Sequence, residues 1–124
     1  MSLMKQVELL RAACCVAGAD GQTVPSEREI LTRIAADADL RNELLEYFIG
    51  RSETDRTFSD VQFRRGVSDS VATLEFLFAV AKADNRLTVG ELNVLFRIAE
   101  RLRLSEDQFA RLRAAALLEV RKAA

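Results

Sequence analysis

Four carboxylates in this chain are spaced as if to act together. Asp20 and Glu27 stand seven residues apart, and Asp84 and Glu91 repeat that spacing 64 residues later. Aspartate and glutamate are hard oxygen donors suited to calcium, magnesium or manganese. If folding joins the two pairs, the like charges must bind a cation, recruit arginine or hold a proton. Ser26, Glu29 or backbone carbonyls of the turn could complete a coordination shell. Asp20, Glu27, Asp84 and Glu91 are therefore the candidate metal ligands, with a divalent cation (Ca, Mg or Mn) as the candidate ligand.

The same residues also have a purely structural reading. Gly21 and Asn85 hold equivalent places just past a helix. Glycine and asparagine are the residues that most readily take the left-handed conformation there. Asp20 and Asp84 could hydrogen-bond the turn after each of them. Thr88-Val89-Gly90-Glu91 has the form of a capping box, and Pro25 and Glu27 suit the first and third positions of a helix. A carboxylate at either place also meets the positive end of the helix dipole. An EF-hand is excluded, because Val16 and Gly18, or Val80 and Lys82, stand where its first oxygen ligands would be.

The elements that must position these turns come from a duplication. Val16-Ala17-Gly18-Ala19-Asp20-Gly21 aligns with Val80-Ala81-Lys82-Ala83-Asp84-Asn85, and Arg33-Ile34-Ala35 aligns with Arg97-Ile98-Ala99. The flanks keep the same offset: Val7 with Val71, Leu10 with Leu74, Leu40 with Leu104. Val7, Leu10, Cys14 and Ala17 are spaced by three and four, which is one face of a helix. A second helix comes after each turn. Its inner face is Ile30, Leu31, Ile34 and Ala38 in the first copy, and Val94, Leu95, Ile98 and Leu102 in the second.

A third helix begins near Leu40, with Leu44, Leu45, Phe48 and Ile49 inward. Its counterpart starts at Ser105 with Gln108 as a capping partner, and turns Phe109, Leu112, Ala116 and Val120 inward. Residues 50–60 read as a polar loop. Phe58, Val61 and Val67 suggest a short linking helix that Gly66 breaks, and Ser68 caps the first helix of the second copy. The expectation is an all-α, single-domain helical bundle over residues 4–122. It holds two pseudo-symmetric three-helix repeats, about 4–50 and 68–122, plus the linking helix.

Composition narrows the function. The 124 residues have a net charge of −1, one proline, five glycines and no histidine. Without histidine there is no histidine-dependent triad, histidine–zinc site or histidine phosphorelay. No nucleophile-plus-base pair, glycine-rich phosphate loop or cofactor fingerprint is visible, so an enzyme is not expected. No apolar run approaches a membrane span, and no signal peptide is apparent, so direct membrane insertion is not expected. Met1-Ser2-Leu3 ahead of Met4 reads as a vector-derived start with no functional part. Cys14 and Cys15 are adjacent on one helix and cannot pair without distorting it. They read as two small buried apolar residues in a reducing cytoplasm.

The pattern Ala17-Gly18-Ala19-Asp20-Gly21, then Glu27 and Leu31, resembles the tellurite-resistance TerB-like family. Ala81-Lys82-Ala83-Asp84-Asn85, Glu91 and Leu95 echo it. The same kind of domain occurs in membrane-anchored DnaJ-like co-chaperones. The resemblance implies an all-helical fold with internal symmetry and a non-catalytic role in stress or metal-oxyanion resistance. It also implies a protein partner, often within a membrane-associated cytoplasmic stress complex, and a metal site that would here be Asp20, Glu27, Asp84 and Glu91. Two departures stand out: Asn85 replaces the glycine, and Thr23 replaces an aliphatic residue where Leu87 conforms.

Two other surfaces invite a partner. Phe58, Phe63, Arg64 and Arg65 lie in the segment that the duplication does not require. Arg97, Arg101, Arg103, Arg111, Arg113, Arg121 and Lys122 form a basic stripe. Glu100, Glu106, Asp107 and Glu119 interrupt that stripe, which fits a solvated helix face better than a nucleic-acid site. The alternative function is a purely structural scaffold that binds a partner or nucleic acid through this arginine-rich surface.

Overall fold

The computed structural model describes residues 3–55, 70–83 and 85–123. Every element in them is a helix: α1 (Leu3–Ala17), α2 (Pro25–Asp37), α3 (Asn42–Thr54), α4 (Ser70–Ala81), α5 (Val89–Arg101) and α6 (Glu106–Ala123). The all-α expectation holds, and no strand occurs among the described residues. The expected linking helix, with Phe58, Val61, Phe63, Arg64, Arg65, Gly66, Val67 and Ser68, lies outside the described residues, as does Asp84.

The composition of α1 dictates its place. Ala12, Ala13, Cys14, Cys15, Val16 and Ala17 are all buried, which exhausts every side of the helix. A stretch of helix that is apolar all round, as residues 12–17 are, must be enclosed. Accordingly α1 packs on α2, α3, α4 and α5, while α4 packs on α1, α2, α5 and α6. Small side chains on α1 let its neighbours approach closely. Just past the end of α1 the approach to α3 is close at Gly18, where an added β-carbon would stand 2.6 Å from Ser52 Oγ and 3.1 Å from the Ser52 carbonyl carbon. The position 64 residues on is Lys82, whose ammonium instead reaches Glu119 on α6.

Helix ends recur at the same offset as the sequence. Two helices run from Pro25 to Asp37 and from Val89 to Arg101, and each closes in the same way. The Leu40 N–H donates to the Ala35 carbonyl at 2.8 Å, and the Leu104 N–H to the Ala99 carbonyl at 3.0 Å. Asp39 (φ 56°) and Arg103 (φ 61°) supply the left-handed residue that this closure needs. α3 begins at Asn42, near Leu40 as expected, and directly after Leu40 has ended α2. At its other end α3 runs to Thr54, so its last turn occupies part of the stretch that reads as loop.

Arginine is a poor occupant of a left-handed position, whereas aspartate tolerates it better. Arg103→Gly should therefore raise stability by about 1 kcal/mol, and Asp39→Gly by less. Urea denaturation of both variants checks the order. Equal or negative effects would contradict it.

Candidate functional site

The two glutamates are held in place by the starts of their own helices. Glu27 and Glu91 are each the third residue of a helix, and they are only 3% and 4% exposed. Glu91 Oε1 accepts the Thr88 N–H at 2.9 Å, and the Thr88 hydroxyl accepts the Glu91 N–H at 3.1 Å. That reciprocal pair is the expected capping box. Glu27 Oε1 likewise accepts the Val24 N–H at 3.2 Å. Val24 has no side-chain oxygen to return the bond, so the first repeat keeps half of the box. Ser105 and Gln108 complete a third box at the start of α6, with bonds of 2.8 and 3.1 Å.

The aspartate of the first turn does something different. Gly21 is left-handed (φ 84°), and its N–H donates to the Gly18 carbonyl at 2.9 Å. Asn85 repeats this, at φ 61° and 2.9 Å from the Lys82 carbonyl. Both positions behave as the glycine and asparagine predict. Asp20, however, is exposed, and its carboxylate makes no hydrogen bond to the turn after it. It lies against the start of α5. A β-carbon added at Gly90 would collide with Asp20 Oδ1 and stand 3.5 Å from the Ala19 carbonyl oxygen. The first acidic turn therefore touches the helix that the second acidic turn introduces.

Around this contact opens a cleft of about 550 Å³. Asp20, Glu53, Asp55, Asn93 and Arg97 line it, with Gly18, Gly21 and Gly90 exposing backbone. Glu53 Oε2 accepts the Thr23 N–H at 2.7 Å and so ties the turn to the end of α3. Asp55 pairs with Arg51. Sequence reasoning missed Glu53 and Asp55, because α3's apolar spacing stops at Ile49 and its polar tail looks like loop. A helical continuation through Thr54 was the available signal.

The structure thus brings Asp20 to the helix carrying Glu91, with both glutamates buried at helix starts. Asp84 lies outside the described residues. Glu29 is not available to the turn: it is exposed and pairs with Arg33 at 3.0 Å. Among the described residues, no three Cys, Asp or Glu side chains are grouped to hold one metal ion.

Cys15 also borders the cleft, but its thiol is not reactive in character. Burial is the main cause that pushes it up to about 12 from an ordinary 9.0. Burial raises Cys14 as well, and the neighbouring Cys15 adds to that. A thiol raised on folding favours the fold below its unfolded value of 9.0, and that benefit is lost as pH rises towards the folded value. Thr23, the departure from an aliphatic residue, has a buried hydroxyl with no hydrogen-bond partner.

The profile of the family described as "Tellurite resistance protein TerB" matches residues 37–114, more than half of the chain. The chain belongs to the TerB family. The match runs from the end of α2 into α6, taking in Asp84 and Glu91 and stopping short of Asp20 and Glu27. No curated protein and no solved structure is matched. Among the described residues no helix is long and apolar enough to cross a membrane.

The caps and the thiols each give an expectation. Val24→Thr should complete the half box and stabilise by about 1 kcal/mol, while Thr88→Val should cost a similar amount. Thermal melts of the two variants measure this, and the same sign for both would refute the cap assignment. A thiol-titrating disulfide reagent at pH 8 should find neither cysteine in the native protein and both in urea. Fast native labelling of Cys15 would contradict its burial.

Proposed function

We propose that this TerB-family domain is a non-enzymatic protein-interaction module of the tellurite-resistance type. In this reading a divalent cation joins its two acidic turns. The observation that carries the cation is the position of Asp20. Its carboxylate is exposed, has no hydrogen bond or ion pair among the described residues, and abuts the start of α5. A carboxylate in that state keeps its lone pairs for a ligand.

The geometry suits the three described acids to different roles. Glu27 and Glu91 each spend an oxygen on a backbone N–H and are nearly inaccessible, which suits them to shaping the turns. Asp20 is the residue positioned to meet a cation. Asp84 takes the equivalent role by its place in the repeat. Backbone carbonyls of the turns would supply the neutral oxygens that calcium and magnesium accept. A cation held there would act as a clasp between the two halves, leaving the outer helix faces to meet a protein partner. No step of chemistry is asked of it.

Titration of the metal-free protein with calcium, magnesium and manganese, followed by two-dimensional NMR, tests this reading. Saturable shifts or broadening should centre on residues 18–21 and 89–91, and Asp20→Asn with Asp84→Asn should abolish them. Gly90→Ala sharpens the test. Alanine is the better helix former by up to about 1 kcal/mol, so the variant should melt at or above the wild-type temperature. Its methyl group must displace Asp20 Oδ1, so cation affinity should fall several-fold. Unchanged cation affinity in Gly90→Ala, or no response to millimolar metal, would remove the clasp.

A further inference from the structure

The duplication provides an internal control, because whatever one repeat does without is not required by the fold. At the junction of α5 and α6 the second repeat carries Phe96, Glu100, Glu106 and Phe109. The same positions in the first repeat are Thr32, Ala36, Asn42 and Leu45. Both repeats keep the helix closure and its leucine, Leu40 or Leu104. The aromatic pair and the two acids are therefore additions to a junction that already folds.

These additions build a groove. Phe96, Ala99, Leu104 and Phe109 form its apolar floor, Glu100 and Glu106 border it, and its volume is about 370 Å³. Phe96 is 40% exposed. It is also fixed. Its ring meets Phe109 edge-on at 5.3 Å, and Phe109 meets the buried Phe78 edge-on at 5.7 Å. An aromatic row thus runs from the core to the groove, holding Phe96 ready as a contact with little ordering left to lose. The acids are uncompensated: among the described residues neither Glu100 nor Glu106 makes an ion pair or a side-chain hydrogen bond. The arginines nearby in sequence, Arg97, Arg101 and Arg103, do not line the groove.

We propose that the Phe96–Phe109 groove docks a partner-protein segment that presents a bulky apolar side chain flanked by lysine or arginine. The apolar side chain would rest on the Phe96 ring and Leu104, and the flanking cations would meet Glu100 and Glu106. Charge complementarity selects this occupant, since the floor takes any apolar group but the border favours only cations. The proposal rests on the domain being a partner-binding module and names the class of partner.

The test is an NMR titration of the full chain with three hexapeptides: Lys-Lys-Leu-Phe-Lys-Lys, Glu-Glu-Leu-Phe-Glu-Glu and Lys-Lys-Ser-Ser-Lys-Lys. The first peptide should give saturable shifts at Phe96, Leu104 and Phe109 at low salt, and the other two should not. Phe96→Thr, which installs the first repeat's residue, should weaken binding about tenfold or more, as loss of a central anchor does. Glu100→Gln with Glu106→Gln should weaken it and flatten its salt dependence. All of these side chains border solvent, so unchanged melting temperatures would show the variants folded. Should a variant melt early, the wild-type peptide comparison still decides. Equal binding of the acidic peptide, or no saturable shift at millimolar peptide, overturns the proposal. Shifts on another face overturn the groove but leave the interaction module standing. Sedimentation that shows a dimer lost on Phe96→Thr would assign the groove to a second copy and also overturn it.

Discussion

Everything in this domain depends on a glutamate turned back onto the start of its own helix. Glu27 and Glu91 are almost fully buried, which is costly for a carboxylate unless it is satisfied. Part of the compensation is the backbone N–H at the helix entrance, Val24 in one repeat and Thr88 in the other, each donating to one glutamate oxygen. That bond fixes where α2 and α5 begin. It therefore fixes the turns that precede them, and the aspartate in the first turn is left facing outward. Glu27 and Glu91 thus cap their own helices, and Asp20 is left exposed beside the start of α5.

The two repeats share this frame but depart from it in complementary places. In the first, Gly18 admits the end of α3 and Glu53 bonds the turn at Thr23. The second has Lys82 at the equivalent of Gly18, and its ammonium pairs with Glu119 on α6. The first repeat has a half box at Val24, and the second a complete one at Thr88. A frame specified twice tolerates such exchanges, because the buried leucines Leu10, Leu31, Leu74 and Leu95 occupy matching places in both. The cleft at Asp20 and the groove at Phe96 both lie where one repeat departs from the other.

Much of this is legible in the sequence. Apolar spacing locates the helices, because α2 and α5 each turn a single face inward. The caps at Thr88 and Ser105 and the left-handed Gly21 and Asn85 come from residue type. The features that escape have physical reasons. The polar tail of α3 has no apolar residue to reveal its period, so Glu53 and Asp55 read as loop. Asp39 and Arg103 lack the glycine that usually marks a left-handed helix end, so the closure at Leu40 goes unseen. The contact of Asp20 with Gly90 is long-range, and no local pattern specifies it. The duplication raises the question whether the turns meet; the structure shows Asp20 against the start of α5, and Asp84 lies outside the described residues.

The proposed clasp puts a cation where Asp20 meets the start of α5, with Asp20 as a ligand and Asp84 joining it by its place in the repeat. The most direct measurement is an anomalous difference map from crystals grown with manganese, collected at its absorption edge. A peak within bonding distance of the Asp20 carboxylate, beside the start of α5, is the predicted result. A map with no peak there, or with manganese bound only elsewhere, would contradict it.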